Sequence, residues 1–329
     1  MTTRYDLAIA GAGPAGSVPG YLAARAGLRV LVAERSHFDG PKPGETAPPE
    51  LRPLLARVGL SHVLDESTHT EAPAVVSVWG NAQPAERPHI LSPFGNGFHL
   101  DRRAFDERLA QAAGQAGARC VSRQAFVLSE GSAAAAVFSR RGERMQARFA
   151  VVAIGRGARS TGLPSARRYL DDHVAIVARF GRVGNPAESR TVVEAVPGGW
   201  FYMAALPRGR MVAVFMTRAA TARGGRDSRR RVWLEAMSHT ALIRSSLPDR
   251  LDRGGALERS CRTSRGSGGA RCSPDDRISR RACSRLWDGA SFPGRSLLGS
   301  RLPGRGLERR RGCRQSFRVT MLRLEWESG

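Results

Sequence analysis

Lysine is almost missing from this chain. Of 52 basic residues only Lys42 is a lysine, and the other 51 are arginines. A nucleic-acid reader would mix lysine with arginine and interleave aromatics on one face. Arginine without lysine instead resembles the codon bias of very G+C-rich DNA, so the net charge of +23 is not taken as a nucleic-acid signal. Long apolar runs are missing too. No stretch approaches the roughly 18 residues that a membrane-spanning helix needs, and no membrane partner is expected. The N-terminus runs directly into a strand with no charged leader, which predicts no secretory signal and a cytoplasmic protein. Cysteine is scarce and unevenly placed. Cys120 stands alone in residues 1–250, while Cys261, Cys272, Cys283 and Cys313 fall in the last quarter. Their wide spacing lacks the close pairs of a zinc site, and a cytosolic chain does not favour a disulfide framework. No metal site is expected.

The first sixteen residues contain the most specific signal. The apolar run Leu7 to Ala10 reads as a buried parallel strand. It enters the turn Gly11-Ala12-Gly13-Pro14-Ala15-Gly16, and a helix is expected over Ser17–Ala26. A second apolar run, Leu28–Ala33, ends on Glu34-Arg35. In such a strand–turn–helix–strand unit each glycine has a physical role. Gly11 permits the tight turn, Gly13 lets the backbone approach a pyrophosphate, and Gly16 lets helix pack on strand. Free N–H groups at the helix start favour phosphate charge, and Glu34 is placed to accept hydrogen bonds from an adenosine ribose. The unit therefore predicts a bound dinucleotide; the alternative is a glycine turn with a structural Glu34.

Further along, helices are expected over Glu50–Val58 and from Arg102, with Asp101 as N-cap, and a third over Ser228–His239. Strands are expected at Val75–Trp79, Arg119–Ser122, Ala134–Ser139 and Met145–Ile154. Beyond Asp171 the pattern changes to short β-rich runs, His173–Phe180, Arg190–Val196, Trp200–Leu206 and Met211–Thr217, divided by Gly/Pro turns. This predicts an α/β protein with a Rossmann-like parallel sheet over residues 1–165 and an antiparallel substrate domain over 166–245, which residues 75–100 would join. Residues 246–329 show no sustained periodicity and are dominated by Arg, Ser and Gly. They predict an irregular, largely disordered basic tail.

Four segments occur in the order seen in flavoprotein monooxygenases: Gly11–Gly16 with Glu34-Arg35, the loop Lys42-Pro43-Gly44-Glu45-Thr46, Asp101-Arg102-x-x-Phe105-Asp106, and Val151-Val152-Ala153-Ile154-Gly155. Over residues 4–245 the chain resembles the branch holding flavin-dependent halogenases, geranylgeranyl-reductase-like proteins and flavoproteins that mature quinone-cofactor oxidases. The resemblance implies FAD, with the Gly11–Gly16 turn on the ADP moiety, Glu34 on the ribose, Arg102 on the flavin side and Gly155 beside the adenosine. Ile154 stands where the branch has threonine. It also implies that reduced FAD and O2 oxidise a small-molecule, carrier-bound or peptide-bound substrate, or halide. Hydride would come from transient NAD(P)H or from a flavin reductase. Glu45 and Lys42 are the catalytic candidates on this loop, each against the alternative of a solvated side chain. The halogenase G-W-x-W-x-I-P segment is altered here to Gly199-Trp200-Phe201-Tyr202, and Trp200 and Tyr202 read as sheet core ahead of substrate cage.

The late flavin motif of such proteins, G-D-A-A followed by D-P, does not occur after Gly155. Its expected place is where the arginine-rich stretch begins, which predicts a reading-frame change near residues 250–265 and impaired FAD binding. Two rivals follow: a non-catalytic pseudoenzyme or maturation partner that binds another protein, and a true nucleic-acid-binding extension.

Overall fold

The computed structural model describes residues 3–40, 42–65, 67–124, 135–138, 144–155, 171–180, 189–247, 256–261 and 320–323. In chain order the first elements are β1 (Thr3–Ala10), α1 (Pro14–Arg25), β2 (Val30–Glu34), β3 (Thr46–Ala47), α2 (Leu51–Val58), β4 (Thr70–Ala72), β5 (Ala74–Val78), β6 (Ala85–Pro88), β7 (Gly97–His99) and α3 (Arg102–Gln115). There follow β8 (Arg119–Ser122), β9 (Ala135–Phe138), β10 (Arg144–Val152), β11 (His173–Phe180), β12 (Thr191–Val196), β13 (Gly199–Leu206) and β14 (Arg210–Arg218). The last are α4 (Arg226–Ser238), α5 (Leu242–Ser245), β15 (Ala256–Cys261) and β16 (Thr320–Arg323).

The elements form three sheets. The first has the order β16-β10-β1-β2-β8, with β9 also on β10. Its strands β10, β1, β2 and β8 run parallel. The centre of this sheet is apolar on both faces, as expected of a parallel sheet covered on two sides. Ile9 and Val32 pack with Ala110 and Ala113 of α3, while Ala8, Ala10 and Leu31 pack on the other face with Met145 and Ala147. Helix α1 runs through Pro19, and Gly20 brings it so close to β2 that an added Cβ would lie 2.9 Å from the Val32 side chain. Asp101 caps α3 as its position predicts, accepting from the backbone of Arg103 and Ala104.

The second sheet, β15-β11-β14-β13-β12-β5-β6, is antiparallel except for the parallel pair β12–β5. Alternation along its strands gives two faces. Phe201, Met203, Phe215 and Ile176 turn to α4, where Trp233 and Met237 complete a core. The opposite face carries Val177, Val212, Val214 and Ala204.

A small third sheet, β3-β7-β4, joins the other two. The 75–100 stretch therefore divides: β5 and β6 enter the large sheet, whereas β7 pairs with β3 and β4. Two departures concern the region beyond residue 245. Leu247 is buried in the core against α4, and β15 and β16 pair with β11 and β10. These segments are strands where an irregular tail was expected, because the exposed edges of β11 and β10 supply backbone partners irrespective of side-chain periodicity. The remaining segments of 246–329, with the proposed frame change, lie outside the described residues.

Candidate active site

The glycine turn lies at the C-terminal ends of β1 and β10. Gly11 has φ +98°, and an added Cβ would stand 2.6 Å from the Ala153 carbonyl oxygen. The turn thus rests directly on the Ala153-Ile154-Gly155 backbone, which brings together two motifs 140 residues apart in sequence. At Gly16 an added Cβ would lie 1.8 Å from the Gly11 carbonyl oxygen, so helix and turn close on each other. Gly13 differs: an added Cβ would meet nothing within 4 Å among the described residues. Gly13 is also the N-cap of α1, with no side chain capping the helix and no acidic residue in its first turn. Pro14 and Ala15 form that first turn. The result is an open, positively polarised cradle, which suits a pyrophosphate.

Glu34 ends β2 beside this cradle. Its Oε2 accepts from Ala12 N at 2.9 Å, and its Oε1 accepts from Ser36 N and Oγ at 3.0 and 2.7 Å. Burial opposes the charge, yet the hydrogen bonds from Ser36 and Ala12, with Lys42 nearby, outweigh it and hold the carboxyl below its ordinary value. Oε2 keeps one acceptor position for a ligand hydroxyl. Arg35 is exposed at the next position.

The second group of residues is the loop before β3. Arg102, at the start of α3, donates to the Pro43 and Gly44 carbonyls at 2.7 and 3.2 Å and pairs with Asp106 one helical turn later. Gly44 has φ +97°, and an added Cβ would stand 2.8 Å from Arg102 Nη1. Lys42 Nζ reaches the same Asp106 at 2.9 Å and lies 4.6 Å from the Phe38 ring centroid. Asp106, 1% exposed, therefore joins the lysine and the arginine in one buried junction. Glu45 is 4% exposed; its Oε2 accepts from Gly44 N at 2.8 Å and its Oε1 from Arg179 of β11 at 2.6 Å. Both catalytic candidates are thus engaged in structural ion pairs, because each sits where a strand or helix supplies the opposite charge.

The sheet face opposite α4 meets this loop. On β13, Tyr202 lies on this face and its hydroxyl is 2.6 Å from Thr46 Oγ1. Burial drives the Tyr202 phenol well above its ordinary pKa. Thr46 Oγ1 also stands 3.4 Å from Thr191 Oγ1 of β12, which in turn meets His99 Nε2 at 2.9 Å. His99 is fully buried, and burial lowers its pKa to about 4. The Ala205 backbone, hydrogen-bonded to the ring, opposes that fall in part. Beyond Tyr202 the face is apolar and partly open: Val193, Ala175 and Met216 lead to Trp200, whose ring meets that of Trp79 edge-on at 6.2 Å. Trp79 is 59% exposed.

Sequence reasoning ranked Trp200 and Tyr202 as sheet core ahead of substrate cage; Tyr202 packs against the cluster of Val177, Ala204 and Val214, on the sheet face that meets the loop. Alternation alone cannot say which face of a strand meets the helix. Arg179, His99, Thr191 and Asp106 carried no role in the sequence reading, since their partners are 64 to 145 residues away. Only Asp106 had a local clue, its i,i+4 spacing from Arg102.

No protein-family model matches the chain. Among curated proteins it is similar to LodB of Marinomonas mediterranea, described as a putative FAD-dependent oxidoreductase, with 27% identity over 247 residues covering 73% of this chain and 67% of LodB. Among solved structures it resembles the myxobacterial chondrochloren halogenase CndH, an FAD-dependent halogenase, with TM-score 0.65 and 23% identity over 74% of this chain and 59% of that one. It also resembles the peptidyl tryptophan dihydroxylase QhpG, with TM-score 0.61 and 24% identity over 78% and 56% of the two chains. The chain spans about half to two thirds the length of the first curated relatives that it matches.

Proposed function

We propose that the chain, which resembles FAD-dependent oxidoreductases and has the fold of a flavin-dependent halogenase, oxidises an apolar organic substrate held on the open face of the large sheet. The observation that supports this reading is the meeting of two surfaces: the loop that holds Arg102 and Glu45 abuts a sheet face floored by Val193, Met216 and Trp200. The Trp79–Trp200 pair at its rim suits a flat or aromatic group, and the relatives named above include one that acts on a peptidyl tryptophan.

The Gly11-Ala12-Gly13-Pro14-Ala15-Gly16 turn, Glu34 and Gly155 would hold the adenosine diphosphate part of FAD, and Arg102 the flavin side. Arg35, exposed beside Glu34, would meet the adenosine rim. Bound FAD would supply the redox chemistry with O2, after reduction by NAD(P)H or by a partner reductase. The protein's own share is positional. Asp106 fixes Arg102 and Lys42 as a pair, so that their charge faces the cofactor loop without wandering. Glu45, neutralised by Arg179, ties that loop to the substrate sheet and keeps an unpaired carboxylate away from the reacting centre. Val177, Val214 and Met216 exclude water from the side where substrate would lie. In this reading Lys42 and Glu45 serve as holders of geometry and take no proton from the substrate.

The late flavin motif missing from the sequence removes contacts that relatives would use, and FAD affinity is proposed to be weakened accordingly. The test is the visible absorbance of the gel-filtered protein after incubation with excess FAD. Retained flavin, followed by substrate-dependent O2 uptake with NAD(P)H and indole as probe, supports the reading. A protein that keeps no flavin at any FAD concentration favours the binding-protein alternative instead.

A further inference from the structure

Tyr202 and His99 lie on different sheets, yet their polar atoms are joined through two threonines. Thr46 Oγ1 has two neighbours, the Tyr202 hydroxyl at 2.6 Å and Thr191 Oγ1 at 3.4 Å. The first distance is a short hydrogen bond and the second a long one, so Thr46 is held more tightly by Tyr202 than by Thr191. Thr191 Oγ1 meets His99 Nε2 at 2.9 Å, and the imidazole is fully buried, with the Ala205 backbone as its other polar neighbour among the described residues. The tautomer of a buried imidazole is set by its hydrogen-bond partners. Which nitrogen carries the proton depends on whether Thr191 donates or accepts, and that depends on what Thr46 does.

Thr46 is also covalently next to Glu45. The Glu45 carboxylate is gripped by Arg179 and by Gly44 N, and its carbonyl oxygen accepts from Leu100 N at 2.7 Å. Gly44 and Pro43 present their carbonyls to Arg102. A path of hydrogen bonds joined by the 43–46 backbone therefore runs from the Tyr202 hydroxyl, through Thr46 and Gly44, to Arg102. On that face Tyr202 lies amid Val177, Val193 and Val214, with Arg179 and Thr191 as polar neighbours that also reach the loop and its network.

We infer that Tyr202 is a positioning residue, whose hydroxyl seats the Pro43–Thr46 loop through Thr46 and thereby couples the substrate face to Arg102. The assignment of the face to substrate rests on the functional reading above; the coupling does not. A ligand that claims the Tyr202 hydroxyl, as a phenol, an indole N–H or an amide can, frees Thr46 to turn to Thr191. The loop and the His99 tautomer then respond together. The substrate class this favours is an apolar molecule with one hydrogen-bonding group, since a fully apolar one leaves Tyr202 bound to Thr46 and sends no signal.

The experiment uses the full chain with 15N-labelled histidine, seven residues in all, and assigns the His99 ring by comparison with His99→Asn. Tyr202→Phe removes one oxygen and keeps the ring. It is expected to change the His99 tautomer ratio at least about threefold, the worth of part of one hydrogen bond. Amide exchange at Gly44 and Leu100 is expected to rise by about the same factor. Thr46→Val should reproduce both effects and Thr46→Ser, which keeps the hydroxyl, should restore wild-type values. In the double variant Tyr202→Phe with Thr46→Val, the tyrosine change should add nothing further. A tautomer ratio and amide rates unaltered by Tyr202→Phe would overturn the inference, as would a Thr46→Ser variant that behaves like valine. Neither readout needs flavin or substrate. A chain that retains no FAD thus sinks the functional reading without touching this one, and an indifferent His99 does the reverse.

Discussion

Arg179 of β11 and Glu45 of the cofactor-side loop are 134 residues apart in sequence and 2.6 Å apart in space, with side chains 19% and 5% exposed. The pair fastens the loop to the large sheet with little water to share the charge. Replacing Arg179 leaves the buried Glu45 carboxylate without its cation, a situation that costs about 3–5 kcal/mol. Arg179→Met is therefore expected to lower unfolding free energy in urea by an amount in that range. The double change Arg179→Met with Glu45→Gln should recover part of the loss. A loss in the double variant equal to the sum of the two single-variant losses would mean that the pair carries no coupling.

Gly13 and Gly16 separate a ligand requirement from a folding one. Gly13→Ala places its methyl in open space at an ordinary φ of −71°, so stability should stay within about 0.5 kcal/mol. FAD affinity should nonetheless fall at least about tenfold, because the methyl occupies the approach to the pyrophosphate. Gly16→Ala drives its methyl to 1.8 Å from the Gly11 carbonyl oxygen and should unfold the turn itself. Thermal melts and flavin fluorescence titrations read the two effects separately. A Gly13→Ala protein that binds FAD as well as wild type would argue that the turn is structural only.

His99 sets a pH dependence of known sign. Its folded pKa of about 4 lies below the ordinary histidine value of 6.5 because burial disfavours the charged ring. Between those values the unfolded chain binds the proton and the folded one does not, so stability rises with pH from 4 to 6.5 and levels off above. The full span is worth about 3 kcal/mol. His69, also lowered by burial, adds a slope of the same sign. Urea midpoints from pH 4.5 to 7.5 should therefore climb in the wild type and climb less in His99→Asn. An identical slope in the variant would show that His99 titrates normally.

Trp79 at the rim of the open face is 59% exposed, and its ring leans on Trp200. Trp79→Ser should leave the melting temperature within about 2 °C, as suits an exposed position. Binding of indole, followed by saturation-transfer NMR, should weaken at least about threefold, since an aromatic pair is worth about 0.5–1.5 kcal/mol beyond burial. Unchanged indole binding would place the ligand elsewhere.

The arginine-rich stretch makes a prediction that needs no protein. The DNA encoding residues 246–329, read in its other two frames, should contain G-D-A-A followed by a D-P segment. A gene in which neither frame yields them rules out the frame change. If the frames do contain them, the restored protein should hold FAD at least about tenfold more tightly than this chain.

Much of this architecture was open to reading from local pattern. The alternation in residues 173–217 returned four strands within a residue or two, and Asp101 was identified as a cap from position alone. The short strands β3, β4 and β7 were not legible, because two or three residues offer no period to detect. They matter most for the site, since they carry Thr46 and His99 between the two large sheets. Glu45 and Lys42 were legible as loop residues, but their ion-pair partners were not. A carboxylate's partner is chosen by packing, and Arg179, one of many arginines, has no local mark that separates it from the others.

What the sequence determined by itself was the cofactor side: the order strand, glycine turn, helix, strand and acid is written within 34 residues, and short-range sterics enforce it. What only the tertiary structure decided was the meeting of the glycine-turn side with the large, mostly antiparallel sheet. Which face of β13 turns to α4, and which offers Tyr202 to Thr46, depends on burying Phe201, Phe215 and Trp233 together. That burial is a collective property of strands and a helix far apart in the chain, so no window of sequence contains it.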